Sequence, residues 1–404
     1  MTDTTTGRLH SVYSGDNSKF IELLGRAVAV GDLTITTPQN KAYRFAGTHK
    51  GPQADLKILK SGFARKLLTG GDVGFAEAFI EEICDSDDLT ALIELGAQNE
   101  HVSWSGFLKG RQLYRWFARV GHALRPNSRR GAKRNIKSHY DLGNDFYATW
   151  LDPSMTYSSA VFSNQAKTLE AAQRHKYQLL IDELQLRPDH HLLEIGCGWG
   201  GFAVHAAETV GCKITAVTIS PSQYDYVQKR IVDAGLEEKI TLVLRDYRDL
   251  EGQYDRIASI EMLEAVGESY WPSYFDKISE LLVEGGKAAI QVITIDADYW
   301  ESYRRNPDFI QQYIFPGGML PTVERLRDEV ARAGLTWKRC EGYGVDYAKT
   351  LAIWRENFQT NWPKLQKLGF DERFRRMWFY YFSYCEAGFN VGRIDVQHIT
   401  LRRS

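Results

Sequence analysis

Glu194, Gly196, Gly198 and Gly200 form an E-x-G-x-G-x-G run at the end of the apolar segment 191–195. Glycines so spaced permit a tight turn and a close backbone approach to a ligand at the carboxyl end of a strand. The run is neither the G-x-G-x-x-G of dinucleotide sites nor a phosphate loop with its lysine. An acid ahead of this turn favours S-adenosylmethionine, which has no pyrophosphate to seat on a helix N-terminus. The next apolar segment, 214–219, leads into Thr218, Ile219 and Gln223, where an acid would ordinarily hold ribose hydroxyls. Thr218 and Gln223 either grip the ribose or cap the next helix. Asp246 and Tyr247, after segment 240–244, either flank adenine or form a turn.

Such residues need a scaffold that brings strand ends together. Apolar, β-rich segments at 191–195, 214–219, 240–244, 254–260 and 287–295 alternate with helical stretches, which implies an α/β fold with a doubly wound, Rossmann-like parallel sheet. Segments 337–343 and 396–402 complete one edge, with helices over 351–368 and 371–389 between them. Ahead of this lies a small mixed α/β domain. It has an amphipathic stretch at 19–30, short strands at 32–37 and 43–46, and helical periodicity at 75–84 and 88–93. The expected boundaries are an N-terminal domain over 1–124, a linker over 125–137 and the larger domain over 138–404.

The chain has 404 residues and a formal net charge of −1, from 50 Lys and Arg against 51 Asp and Glu. That balance conceals a basic belt. Residues 101–140 contain no acid and ten Lys or Arg, which leaves 40 bases against 51 acids elsewhere. Within the belt, 104–124 has the period of an amphipathic helix, with Leu113, Phe117, Val120 and Leu124 on one face and Arg111, Arg115 and Arg119 on another. Five dispersed cysteines without metal-ligand spacing suggest a reduced, intracellular protein with no structural metal. The sequence begins without a signal-peptide pattern and has no run of 18 apolar residues, so membrane contact is expected to be peripheral.

Several co-ordered motifs resemble the cyclopropane-fatty-acyl-phospholipid synthase family, which includes the mycolic acid cyclopropane synthases. They are HYDLGNDFY at 139–147, MTYSSA at 155–160, LEIGCGWG at 193–200, VTISPSQ at 217–223, EMLEAVG at 261–267, YIFPGGMLP at 313–321 and DYAKTLAIW at 346–354, with GDVGFAEAF at 71–79 in the N-terminal domain. The resemblance implies methyl transfer from S-adenosylmethionine to a cis double bond of a phospholipid acyl chain. Proton loss from the new methyl then closes a cyclopropane ring. It further implies bicarbonate as a bound base, held by Glu264 and Tyr347, with Ser159 and Gln291 standing where the best-known bacterial members have Cys and His. In this the chain is similar to the plant-type branch. Proton loss elsewhere would give a methyl-branched or methylene-bearing chain. Without the resemblance, Glu264 reads as a surface carboxylate and Tyr347 as a core aromatic.

Tyr157, Ser158, Gly196, Gly198, Thr218, Ile219 and Gln223 match the family's cofactor contacts. An insertion near 300–325 and the aromatic run 377–382 would wall the acyl pocket, although the run also reads as an ordinary buried helix. A substrate that reacts in mid-chain lies in a bilayer, which gives residues 104–137 a role on an anionic membrane surface at the inner, cytoplasmic face. At about 1 kcal/mol per surface-bound Lys or Arg, half the belt would contribute about 5 kcal/mol. The competing roles are packing on the N-terminal domain and dimerisation, the latter implying a homo-oligomer. No nucleic-acid motif accompanies the belt.

Overall fold

A computed structural model describes residues 18–100 and 142–404. The sequence-predicted helix 104–124 and basic linker 125–137 lie outside the described residues.

The N-terminal part begins with helix α1 (Ser18–Arg26), which buries Phe20, Ile21 and Leu24. A four-stranded sheet follows, in the order β2-β1-β3-β4, from β1 (Val30–Thr36), β2 (Ala42–Ala46), β3 (His49–Ile58) and β4 (Cys84–Asp85). Helices α2 (Phe63–Ile80) and α3 (Leu89–Gln98) complete it. The expected helix over 75–84 therefore starts twelve residues earlier and ends before Cys84, which pairs with Ile58 in the sheet. Gly71, at φ 61° and ψ −132°, kinks α2 with a backbone conformation that suits glycine.

The larger sheet has the order β10-β11-β9-β8-β5-β6-β7. Its parallel strands are β5 (His191–Ile195), β6 (Lys213–Thr218), β7 (Ile240–Leu244), β8 (Tyr254–Ile260) and β9 (Leu282–Ile295). Central strands such as β5 and β6 are covered on both faces, so they read as continuous apolar runs. The antiparallel strands β10 (Leu335–Gly342) and β11 (Ile394–Arg403) form the expected edge, with β11 inserted between β9 and β10. Chain order runs outward from β5 to β7 on one side and from β8 to β9 on the other. The reversal lies between β5 and β8, and ligands of open α/β sheets bind beyond the carboxyl ends of strands at such a point.

The remaining helices are α4 (Asn144–Ala148), α5 (Leu169–Leu184), α6 (Gly201–Val210), α7 (Pro221–Asp233), α8 (Trp271–Leu281), α9 (Ala297–Arg305), α10 (Val323–Arg332), α11 (Gly344–Thr360), α12 (Trp362–Lys367) and α13 (Glu372–Asn390). α13 joins the two parts: Phe379 stacks on Phe79 of α2 with centroids 6.2 Å apart, and Glu386 accepts a hydrogen bond from Thr90 of α3. The described part of the HYDLGNDFY motif, residues 142–147, serves packing. Phe146, wholly buried, lies 4.8 Å from Trp378 and 5.1 Å from Phe370 between ring centroids. Tyr147 contacts Trp199 of the glycine run at 4.8 Å, and Asn144 accepts a hydrogen bond from the Trp199 indole at 2.8 Å. The motif thus anchors the glycine loop to the aromatic core.

Candidate active site

The loop after β5 owes its path to its glycines. Gly196 and Gly198 have φ of 82° and 53°, and a Cβ on Gly196 would stand 2.9 Å from Met262 Cγ. The backbone N–H groups of Gly196 and Cys197 both donate to Val217 O, at 3.0 and 2.8 Å, which ties the loop to β6. Behind it, Glu194 is buried and its Oε2 has no protein partner. Burial pushes this carboxyl up to about 8, opposed by the buried Lys176. Burial likewise pulls the Lys176 ammonium down to about 8, opposed by Glu261, Asp152 and Glu194. Lys176 Nζ donates to Ser158 Oγ at 2.7 Å.

At the end of β6, Thr218 Oγ1 donates to Gln223 Oε1 at 2.9 Å. The cap of α7 is Ser220, whose hydroxyl accepts from Gln223 N. Thr218 Oγ1 also accepts from Ser220 N at 3.2 Å, and the Thr218 and Gln223 side chains both line the cavity. Asp246 accepts from the backbone N–H, Nε and Nη2 of Arg248 at 3.0, 2.8 and 2.6 Å and opens a short turn beside Tyr247. It is both a turn residue and part of the cavity wall.

A cavity of about 750 Å³ joins these residues to an apolar chamber. Tyr157, Ser158, Ile219 and Tyr247 line it beside the glycine loop, and segment 306–321 contributes Ile310, Phe315 and Met319. The chamber also reaches Leu24, Leu92 and Leu95 of the N-terminal part. The aromatic run divides: Trp378 and Phe382 pack into the core around Trp150, whereas Tyr380 and Tyr381 face the cavity.

Two carboxyls stand at the junction, just past β8. Glu261 has φ 47°, a strained position for a residue with a Cβ. Its Oε1 accepts from Ser159 N at 2.7 Å and Gln291 Nε2 at 2.6 Å, and its Oε2 accepts from the Tyr347 hydroxyl at 2.7 Å. Among the described residues Glu264 Oε1 accepts from Ile293 N at 2.6 Å, and its buried Oε2 has no partner. Burial and the neighbouring Glu261 push Glu264 up to about 8. Burial also raises Glu261, opposed by Tyr347, Ser159 N, Lys176 and Gln291. The pair's negative charge therefore resides on Glu261. Tyr347, whose phenol burial and Glu261 raise well above its ordinary value, stays a donor.

Glu264 and Tyr347 line the cavity, with Ser159 and Gln291 buried behind Glu261. The Ser159 hydroxyl turns away to donate to Ala160 O at 2.9 Å, so its backbone N–H is the group facing the carboxylate. Sequence reasoning gave no role to Glu261, Lys176 or His398. His398 Nε2 lies 3.0 Å from Gln291 Oε1, and its Nδ1 lies 3.3 Å from Glu183 Oε1. The sequence signals for Glu261 are its place at a strand end and at the head of the EMLEAVG motif, three residues before Glu264. A bound bicarbonate does not fit these residues, because three of the available donors already hold a protein carboxylate. The glycine turn, Thr218, Gln223 and Asp246 line one end of the same cavity, as a site for S-adenosylmethionine requires.

A doubly wound sheet with this loop at its switch point defines a S-adenosylmethionine-dependent methyltransferase. The chain belongs to the mycolic acid cyclopropane synthetase family, whose model matches residues 127–399. It is 39% identical over 354 residues to a tuberculostearic acid methyltransferase of Mycobacterium tuberculosis, covering 84% of this chain and 81% of that one. It is 30% identical over 390 residues to the cyclopropane-fatty-acyl-phospholipid synthase of Escherichia coli, covering 91% and 95%. Among solved structures, the mycolic acid cyclopropane synthase CmaA1 complexed with SAH and CTAB superposes with a TM-score of 0.63 at 30% identity. That match covers 67% of this chain and 98% of the other.

Proposed function

We propose that the protein methylates a cis double bond in an acyl chain of a membrane phospholipid and closes the product to a cyclopropane. The observation that carries this reading is the continuous cavity, which runs from the glycine loop past two buried carboxyls into an apolar chamber. Gly196, Gly198, Thr218, Gln223 and Asp246 would hold S-adenosylmethionine, which supplies a methyl on a positively charged sulfur. Alkene π electrons form a bond to that methyl carbon, the carbon–sulfur bond breaks towards sulfur, and the adjacent chain carbon becomes cationic. Tyr157 and Tyr381, joined through their hydroxyls at 2.9 Å, present aromatic rings that favour such a cation. A proton then leaves the new methyl, and the electrons of that C–H bond close the ring.

A second reading is a methylene or methyl-branched product. It is favoured by the 39% identity to a relative named as a tuberculostearic acid methyltransferase rather than a cyclopropane synthase. The two are separated by incubating the full chain with methyl-labelled S-adenosylmethionine and vesicles of monounsaturated phospholipid. Labelled esters that gain CH2 and have no double bond support the ring, and a residual double bond supports the methylene or an unsaturated methyl-branched chain. A gain of CH4, which needs an added reductant, supports a saturated branch, and no labelled ester refutes both readings.

Residues 104–137, outside the described residues, would hold the enzyme at an anionic bilayer surface on its cytoplasmic side. Among the described residues no helix is long and apolar enough to cross a membrane. A functional division into residues 1–124, 125–137 and 138–404 belongs to the same proposal, but the chamber draws on both the first and the last of these.

A further inference from the structure

We infer that Glu261 is the enzyme's own proton acceptor, a carboxylate built into the chain at a seat that would otherwise bind a free carboxylate or bicarbonate. The inference rests on the methyl-transfer reading and names the base for it.

Three independent donors converge on this side chain: the Ser159 backbone N–H, the Gln291 amide and the Tyr347 hydroxyl, at 2.6 to 2.7 Å. Such a donor set is how proteins bind a small oxyanion, and here the oxyanion is covalently attached. Glu261 adopts φ 47° immediately beyond β8, and its N–H remains bonded to Gln291 O at 2.8 Å. A residue with a Cβ keeps such a conformation only when its surroundings hold it there, and strain of this kind concentrates at functional sites. Glu261 lines the cavity between the glycine loop and the apolar chamber.

The amide of Gln291 is not free to turn. Its Oε1 faces His398 Nε2 at 3.0 Å, and His398 Nδ1 faces Glu183 Oε1 at 3.3 Å. An ionised Glu261 can only accept, so the NH2 end of Gln291 points at it, and an imidazole protonated at Nε2 holds the Oε1 end. Lys176, fully buried, places a positive charge nearby without bonding to the carboxylate. Glu264, with a single donor and an unpartnered oxygen, is the carboxyl of the pair that keeps its proton, so it is not available as the acceptor. The three donors, by contrast, keep Glu261 ionised. In the step itself the C–H bond of the transferred methyl breaks and the proton moves to a Glu261 oxygen. The C–H electron pair forms the bond to the cationic carbon.

The test measures labelled-methyl transfer by the full chain on monounsaturated phospholipid vesicles, in buffer stripped of carbon dioxide and again with added bicarbonate. Wild-type turnover should be the same within twofold in both. Glu261→Gln should lose about 10²- to 10⁴-fold in kcat with S-adenosylhomocysteine affinity within a few-fold, and added bicarbonate or formate should restore part of the activity of Glu261→Ala. A wild type that stalls without bicarbonate and recovers with it overturns the proposal, as does a fully active Glu261→Gln. If the variants fail to fold, the wild-type comparison still decides. If the wild type transfers no methyl to lipid under any condition, the methyl-transfer reading fails first and takes this inference with it.

Discussion

Gln291 and His398 are direct cross-strand partners on β9 and β11, and their side chains meet at 3.0 Å on the far side of Gln291 from Glu261. An amide has two nearly isosteric ends, and only one of them can donate. With a proton on Nε2, His398 donates to Gln291 Oε1 and holds the NH2 end towards the carboxylate, which makes it a positioning residue.

Replacing His398 by Leu should lower kcat about tenfold, the loss expected if roughly 1.4 kcal/mol of transition-state stabilisation disappears. KM for S-adenosylmethionine should stay within twofold, because the cofactor residues lie on other strands. His398→Gln, which restores a donor, should recover part of the loss. Steady-state kinetics on all three proteins checks this, and a parallel fall in cofactor affinity would assign His398 a merely structural part.

The buried carboxyls set a pH dependence. Glu264 and Glu194 sit at about 8 in the folded protein against an ordinary 4.5. Between those values the folded state binds more protons than the unfolded state, so stability falls as pH rises from about 4.5 through 8. Lys176, lowered from 10.5 to about 8, acts in the opposite sense above that pH. Thermal unfolding of the ligand-free protein should therefore show a declining Tm from pH 5 to 8. Glu264→Gln keeps an acceptor for Ile293 N and should flatten the decline. An unchanged slope in that variant would contradict the assignment.

Much of this architecture is legible in sequence. Strands β5, β6, β8 and the second half of β9 are covered on both faces and announce themselves as apolar runs between helices, and the edge strand β7 is apolar in sequence although it is largely uncovered. Strand β3 is hidden because its first half, around Gly51 and Pro52, is exposed and lacks alternation. The start of α2 is obscured by Gly70, Gly71 and Gly74, which weaken helical periodicity. The cofactor residues are readable because they follow strand ends. Which of Glu261 and Glu264 receives the donors is not readable, since Ser159, Gln291 and Tyr347 lie 102, 30 and 86 positions from Glu261. Only the folded register brings them together.

The basic belt makes a prediction of its own. Neutralising Arg129, Arg130, Lys133 and Arg134 should weaken sedimentation with anionic vesicles, most at low salt, because surface attraction is screened over about 10 Å at 0.1 M. Binding of S-adenosylhomocysteine should not change. Equal sedimentation of wild type and variant across the salt series would remove the membrane role.

Arg376 tests how far the chamber depends on the contact between the two parts of the chain. Its Nε donates to Phe79 O at 2.7 Å, its Nη2 donates to Cys84 O at 3.0 Å, and the guanidinium lies 4.0 Å from the Phe79 ring centroid. Arg376→Met keeps much of the volume but leaves two carbonyls without these partners. Phe79 O still accepts from Glu82 N at 3.1 Å, so at about 1 to 3 kcal/mol for a buried group left unsatisfied the expected loss is roughly 1–3 kcal/mol. For a chain of this length that corresponds to a Tm decrease of roughly 1–4 °C. The glycine loop takes no part in these bonds, so affinity for S-adenosylhomocysteine should hold at temperatures where the variant remains folded. Turnover on phospholipid should fall, because Leu92 and Leu95 of α3 line the chamber from the N-terminal side. Calorimetry, cofactor titration and lipid methylation on one preparation separate these effects. Full lipid turnover in a variant destabilised by that amount would show that the N-terminal wall is dispensable for holding the acyl chain.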